Sequence, residues 1–207
     1  MTHTLHRQGT EQSLSNDYVF LSMAAKGINE DGAADKMREF LRIVLRHNPV
    51  NIGDMRTGNL YNTSIENILD KITSTSIVHG VFTDRDTVAK VLRELKNADL
   101  GMSVVVSGTF SSTRKCCLEA GLSPHTVDYS GGIWGKTGKL PSAKILEVTT
   151  MCGHAMAAPK LVTALVADIK AGEISAEEAG KELAKRCECG IFNPSRAAEL
   201  LRAMASE

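Results

Sequence analysis

Three cysteines and one histidine lie in two short stretches in the last third of the chain. The first stretch, TTMCGHAM, contains Cys152 and His154, and the second, RCECGIFNP, contains Cys187 and Cys189 with one glutamate between them. Thiolates and imidazoles are the protein ligands of zinc, iron and iron–sulfur clusters. The chain holds only five cysteines, so their concentration here indicates a metal or iron–sulfur site more strongly than any particular reaction.

Both stretches come shortly before a predicted helix. Pro159 and Pro194 are each expected in the first turn of a helix, a position that proline favours. Helix N-termini carry partial positive charge and free N–H groups, which stabilise thiolates and lower the pKa of a thiol. The segment AKILEVTT before Cys152 is predicted to be a β-strand, and ligands of α/β proteins gather at the carboxyl ends of strands. We therefore expect the two loops to meet at one site.

The preferred interpretation is a [4Fe–4S] cluster bound by Cys152, Cys187 and Cys189. Three cysteine ligands leave one iron for His154, for another ligand or for a substrate. An open iron acts as a Lewis acid, which predicts an oxygen-sensitive lyase or desulfurase-type enzyme with His154 as its catalytic proton donor. A site closed by four protein ligands predicts electron transfer or a structural role. The cysteine pairings are similar in kind to the three-cysteine iron–sulfur sites of lyases and sulfur-removing enzymes of anaerobes.

Three alternatives compete with the cluster. Zinc in a Cys3His site has the right number of ligands, although C-x-H with C-x-C is not the usual C-x2-C spacing of zinc sites. Such a site predicts a zinc-stabilised helical module that binds a protein partner. A metal-free thiol enzyme is the second alternative. In the third, the cysteines are small buried hydrophobes at helix junctions, a common environment for cysteine.

The adjacent pair Cys116 and Cys117 is a further source of a fourth ligand. Adjacent residues on a helix point about 100° apart, so at most one of the two faces a given site. The sequence does not decide whether the fourth ligand is His154, one of these two cysteines or a substrate.

A glycine-rich segment, SGGIWGKTG, ends in the Gly-Lys-Thr of a phosphate-binding loop. That motif requires a glycine where this chain has Ser130, and it requires a helix directly afterwards. Gly138 and Pro141 make such a helix unfavourable. The segment is therefore interpreted as a loop near the site, in which Lys136 or Trp134 is available to contact a substrate.

The composition excludes several classes of function. The chain has 207 residues, a formal net charge of zero and 4% aromatic residues, which argues against nucleic acid and anionic membranes as partners. The polar N-terminus lacks the apolar core of a signal peptide, so we expect a cytoplasmic protein with reduced cysteines. The expected partner is a small-molecule substrate or a redox protein, and the oligomeric state is not indicated.

The order of elements predicts an α/β fold with a small mixed sheet, crossover helices, a helical N-terminal lead-in and a three-helix C-terminal part. Residues 1–150 are expected to form the lead-in and the α/β core. Residues 151–207 are expected to form a helical, cysteine-bearing part that packs on this core as one unit.

The local predictions are as follows. Residues 1–12 are a polar arm whose default state is disorder, and an apolar segment from Ser15 to Lys26 is predicted to be helical. Strands at 76–82 and 102–108 flank a helix, an order that predicts a parallel crossover. HTVDYS and AKILEVTT are predicted to be two further strands.

Overall fold

Alternation of side chains along the strands gives the sheet two buried faces. In the computed structural model, which describes residues 2–207, Tyr18 and Phe20 enter one apolar core, whereas Val19 between them enters a second core. Successive residues of a strand point to opposite faces. A strand that is buried on both faces therefore has a continuous apolar sequence, as YVFLSM has here.

Five strands and nine α-helices make up the regular structure of residues 2–207. The strands are β1 Tyr18–Met23, β2 Asn51–Asp54, β3 Gly58–Asn59, β4 Ile77–Phe82 and β5 Val104–Ser107. The helices are α1 Glu11–Leu14, α2 Ala33–Arg46, α3 Ile65–Asp70, α4 Arg85–Ala98, α5 Phe110–Glu119, α6 Ala143–Thr149, α7 Pro159–Ala171, α8 Ala176–Arg186 and α9 Pro194–Ala205. Short 3-10 turns occur at Thr2–Thr4 and Thr137–Lys139.

The sheet has the strand order β3-β2-β4-β1-β5, and every neighbouring pair is antiparallel. Strands β4 and β5 both run antiparallel to β1 and therefore run in the same direction, joined by α4. The predicted parallel crossover is thus present, with strand β1 inserted between its two strands.

One helical layer covers each face of the sheet. Helices α2 and α4 supply the first core through residues such as Phe40 and Leu92, and helices α6 to α9 supply the second core through Val148, Val162 and Leu201. These elements confirm an α/β fold with C-terminal helices. Within residues 2–207, every helix is too short or too polar to cross a membrane.

Capping groups explain most of the helix boundaries. The side chain of Asp84 accepts a hydrogen bond from the Thr87 amide at the start of α4. Ser175 and Glu178 form a capping box at the start of α8, which satisfies two N–H groups that a helix start leaves free. Gly172 ends α7 in the left-handed conformation with a φ of 74°, as expected for a glycine after a helix.

Three local predictions are wrong. The segment from Ser15 to Lys26 contains strand β1 instead of a helix, because a short run buried on both faces has no periodicity that separates the two structures. AKILEVTT forms helix α6 instead of a strand, since Ser142 caps its first turn by accepting from the Ile145 amide. HTVDYS has no regular structure, and its Tyr129 is 73% exposed.

The N-terminal arm is also different from the prediction, because a buried ion-pair network fastens it to the C-terminal helices. Asp17 pairs with Arg7 at 2.5 Å and with Arg196 at 2.9 Å, and Asn193 donates to the same carboxylate at 3.0 Å. Arg196 also donates to the carbonyl of Gln8 at 2.7 Å. The two arginines are 7% and 1% exposed, so the carboxylate of Asp17, helped at Arg196 by Glu147 at 3.8 Å, balances charges that have little contact with water.

We expect Asp17→Asn to lower the free energy of unfolding by about 3 to 5 kcal/mol, because it leaves the buried guanidinium of Arg7 without its carboxylate and that of Arg196 with only Glu147, 3.8 Å away. The measurement is urea unfolding followed by circular dichroism. Asp86→Asn is the matched control, since Asp86 makes an exposed ion pair with Arg85, and such pairs contribute little. Equal unfolding curves for the two variants would contradict a stabilising role for the network.

Candidate metal centre

The turn that follows helix α8 carries two thiols in a fixed backbone. The amide of Cys187 donates to the carbonyl of Ala184 at 3.1 Å, and the amide of Gly190 donates to the carbonyl of Cys187 at 3.2 Å. Gly190 has a φ of 77°, which glycine adopts without steric cost. The sequence Cys-Glu-Cys-Gly therefore ends the helix and closes a tight turn at the same time.

Polar side chains from the rest of the protein fix the carbonyl groups of this turn. Asn59 donates to the carbonyl of Cys187 at 2.6 Å, and Asn51 donates to the carbonyl of Phe192 at 2.9 Å. Arg7 donates to the carbonyl of the residue before Phe192. Buried carbonyl groups need such partners, and these three hold the thiol-bearing turn in place from the sheet and from the N-terminal arm.

Two glycines allow the turn to lie directly on the sheet. A Cβ atom on Gly190 would lie 2.7 Å from the amide nitrogen of Gly53, and a Cβ atom on Gly53 would lie 2.9 Å from the carbonyl oxygen of Cys189. Gly53 belongs to β2 and is in register with His79 of β4. The missing side chain of Gly53 thus leaves the space beside His79 that the cysteine turn occupies.

The second loop follows helix α6 and carries Cys152 and His154. The amide of Ala155 donates to the carbonyl of Cys152 at 3.0 Å, which closes a turn. Ala155 has a φ of 58°, a left-handed conformation that costs a non-glycine residue about 1 kcal/mol. Packing of α7 against α6, α8 and α9 brings this loop to the cysteine turn, as the sequence predicts.

The three thiols and the imidazole converge in one cluster. The sulfur atoms of Cys187 and Cys189 lie 3.8 Å apart, and the sulfur of Cys189 lies 3.7 Å from Nδ1 of His154. The side chains of Cys152 and Cys187 are close enough to shift each other's pKa. All three cysteines are buried, whereas His154 lies at the exposed edge of the cluster.

Thiol–thiol hydrogen bonds and burial separate the pKa values of the three cysteines. The hydrogen bond with Cys187, followed by burial, raises the pKa of Cys152. The same hydrogen bond lowers the pKa of Cys187, but the contact with Cys189 and burial outweigh it and raise that pKa to about 12. The hydrogen bond from Cys187 lowers the pKa of Cys189, which makes Cys189 the thiol that loses its proton most readily.

Main-chain amides before helix α9 also act on these thiols. The backbone of Phe192 lowers the pKa of Cys187, and the backbone of Ile191 lowers the pKa of Cys189. Hydrogen bonds that stabilise a thiolate have this effect. The sequence predicts free N–H groups near a helix start that stabilise the thiolates. The main chain of Ile191 and Phe192, between Cys189 and α9, acts on the thiols in this direction.

Two further histidines, which the sequence reasoning did not place here, lie beside the cluster. The ring of His3 stacks on the ring of His154 with centroids 4.9 Å apart, and its Nε2 lies 3.1 Å from Nε2 of His79. His79 is fully buried in the central strand β4. Its position two residues before Val81, which enters the second core, is the signal that could have placed it on this face.

Burial lowers the pKa of both additional histidines. The neighbouring His154 adds to the effect on His3, whose pKa falls to about 4, and His3 adds to the effect on His79, whose pKa falls to about 3. Both imidazoles are therefore neutral near pH 7 and keep a free lone pair, which is the form that binds metal ions.

The adjacent cysteines of helix α5 lie elsewhere. Cys116 is buried in the first core, on the opposite face of the sheet, and Cys117 packs at its edge. The thiol of Cys116 contacts the carbonyl of Arg85 at 3.5 Å. Burial raises its pKa to about 11. The structure thus does not bring either cysteine to the cluster as the fourth ligand that the sequence left open.

The glycine-rich segment does not form a phosphate-binding loop. Only a short 3-10 turn, Thr137–Lys139, follows it, and Trp134 is 85% exposed. The segment touches the N-terminal arm through Ser130, whose hydroxyl lies 3.3 Å from Nδ1 of His6.

The cluster is close to a ligand geometry but does not complete one. Across residues 2–207, no three His, Cys, Asp or Glu side chains are arranged as a finished metal-ligand group. Binding of an ion therefore requires a small reorientation, and His154 at the exposed edge is the ligand with the most freedom to move. Chemically, three thiols and one imidazole supply the ligand types of zinc, of iron and of iron–sulfur clusters.

We expect Gly153→Ala to displace the N-terminal arm from the cluster, because the new Cβ would lie 1.9 Å from the backbone oxygen of His3. The amide of Gln8, which donates to the Thr150 hydroxyl at 2.9 Å, should then exchange its hydrogen about tenfold faster or more. Hydrogen–deuterium exchange measures this directly. Gly131→Ala is the control, since a Cβ at Gly131 meets open space, and equal exchange in the two variants would contradict the close contact.

Comparison with family models, with curated proteins and with solved structures finds no match to this chain. The functional argument therefore rests on the geometry of the thiol–imidazole cluster.

Proposed function

We propose that this protein binds a metal centre through the thiolates of Cys152, Cys187 and Cys189 and the imidazole of His154. The observation that carries the proposal is the convergence of these four side chains from two loops. The contact between Cys189 and His154 joins residues 35 positions apart in the sequence. Chance burial of cysteines does not require that an imidazole nitrogen also face one of the sulfur atoms.

Cys116 shows what a purely structural cysteine looks like in the same protein. It is fully buried among apolar residues of the first core, and its thiol contacts the carbonyl of Arg85. The clustered thiols differ, because the sulfur atoms of Cys187 and Cys189 contact each other and that of Cys189 also faces a histidine nitrogen. These differences favour metal binding over simple packing for the cluster.

The observed separations favour one tetrahedral ion. With Zn–S bonds near 2.3 Å and Zn–N bonds near 2.0 Å, two sulfur ligands lie about 3.8 Å apart and a sulfur and a nitrogen about 3.5 Å apart. The cluster has 3.8 Å between the sulfur atoms of Cys187 and Cys189, and 3.7 Å between Cys189 and His154. An ion with these four ligands joins the α6–α7 loop to the α8–α9 loop and serves as a structural centre, as a zinc-stabilised module requires.

A [4Fe–4S] cluster is the second candidate. Each cysteine of such a cluster binds a different iron, so the thiols would have to separate by the width of the inorganic core. His154 lies at the exposed edge of the thiols and would be available beside a fourth, open iron, which favours this candidate. His154 would then act as a proton donor in sulfur removal, sulfur transfer or elimination of water.

Metal analysis of the protein purified without oxygen tests the proposal. We expect about one zinc or iron ion at the thiols per chain for the tetrahedral site, or about four iron and four sulfide for the cluster. A cluster also absorbs broadly in the visible region, whereas zinc does not. Single Cys→Ser changes at Cys152, Cys187 and Cys189 should each lower the metal content of this site below about a tenth of the original value, because a direct ligand is lost.

Cys117→Ser is the matched control, since it makes the same chemical change on the other face of the sheet. Its metal content should equal that of the original protein. Equal metal content in all four cysteine variants, or no bound metal after anaerobic reconstitution with iron, sulfide and zinc, would overturn the proposal.

A further inference from the structure

We propose that His3 and His79 form a second metal-binding position, which takes a divalent transition-metal ion beside the thiol site. This inference rests on the proposed metal-binding function, but it concerns two residues outside that ligand set. The Nε2 atoms of the two imidazoles face each other at 3.1 Å. The position joins the N-terminal arm to the central strand of the sheet.

The geometry of the imidazole pair fits two ligands of one ion. On a tetrahedral ion with Zn–N bonds near 2.05 Å, two nitrogen ligands lie about 3.3 Å apart. The observed 3.1 Å differs from this by a few tenths of an ångström. The rings are nearly perpendicular, at 80°, so both Nε2 lone pairs can meet at one ion once the proton between them moves to Nδ1 of the ring that carries it.

An unsatisfied nitrogen in His79 gives independent support. Nδ1 of His79 is buried and lacks a hydrogen-bond partner among the described residues. A buried polar atom without a partner is unfavourable, and a purely structural role for this imidazole does not explain it. Metal-bound histidines usually donate their second ring N–H to a nearby carbonyl or carboxylate. The main chain of Cys189 lies close enough to the His79 ring to raise its pKa, but it makes no hydrogen bond of normal geometry with Nδ1.

The arm that supplies His3 is fastened by contacts that do not involve the thiols. The hydroxyl of Ser107 donates to the hydroxyl of Thr4 at 2.7 Å, in a buried position. Arg7 pairs with Asp17 at 2.5 Å. The contacts of Thr4 and Arg7 fix the residues that directly follow His3. They therefore hold His3 at the site before an ion binds, as a preorganised ligand requires.

Two imidazole ligands leave open coordination positions. Structural zinc sites have four protein ligands, whereas catalytic sites keep a position for water or substrate. Water bound to such an ion loses a proton near neutral pH and becomes a nucleophile. The His3–His79 position would therefore leave coordination positions for water or a substrate, whereas the thiol site would have all four positions filled by protein ligands.

Zinc titration of the metal-free protein tests this inference, with bound zinc per chain as the readout. We expect about two zinc ions for the original protein and about one for His3→Gln, because glutamine does not replace an imidazole ligand. His6→Gln is the matched control on the same arm, since His6 is exposed and its Nδ1 lies beside the hydroxyl of Ser130, and it should bind two. The His79→Gln protein should also bind about one zinc ion per chain, if circular dichroism shows that it is folded. If it is not folded, the zinc content of the His3→Gln protein alone tests the second position.

The cysteine variants separate the two proposals. The double change Cys187→Ser with Cys189→Ser should remove the zinc of the thiol site and leave the zinc that depends on His3. Equal zinc content in the original and His3→Gln proteins would overturn the second position, whatever the total. Equal zinc content in the original and double-cysteine proteins would instead overturn the thiol site.

Discussion

The candidate site depends on the packing of the Cys187–Gly190 turn directly on strand β2. Contact between two backbones at this distance is possible only because both sides are glycine, Gly53 on the strand and Gly190 in the turn. This close approach puts the main chain of Cys189 beside His79, which is in register with Gly53. Any side chain at Gly53 would separate the thiol-bearing loop from the sheet and from the histidine.

A second constraint is electrostatic and holds the N-terminal arm over the cluster. The carboxylate of Asp17 balances the buried charges of Arg7 and Arg196, and Arg7 also donates to a carbonyl of the cysteine loop. The arm, the first strand and the last helix thus meet at one carboxylate. His3 reaches the candidate site because this network fixes the residues that follow it.

The sequence predicted the helices better than the strands, and it indicated the candidate cluster of three cysteines and His154 but not the two histidines beside it. Caps such as Asp84 and Ser175 mark the starts of α4 and α8 through local signals. The wrong assignment at Ser15–Lys26 has a different cause, since burial on both faces removes the periodicity that identifies a strand. The convergence of the two cysteine loops followed from their positions before helices, but His3 and His79 depend on tertiary contacts that no local pattern records.

The central claim is that three thiolates and one imidazole bind one metal centre, and X-ray absorption at the edge of the bound metal tests it most directly. We expect three sulfur neighbours at about 2.3 Å and one nitrogen neighbour at about 2.0 Å around a single ion at the thiol site. His3→Gln protein is the sample of choice, because the imidazole pair then does not contribute to the spectrum. A first shell of oxygen and nitrogen alone, without sulfur, would contradict the account.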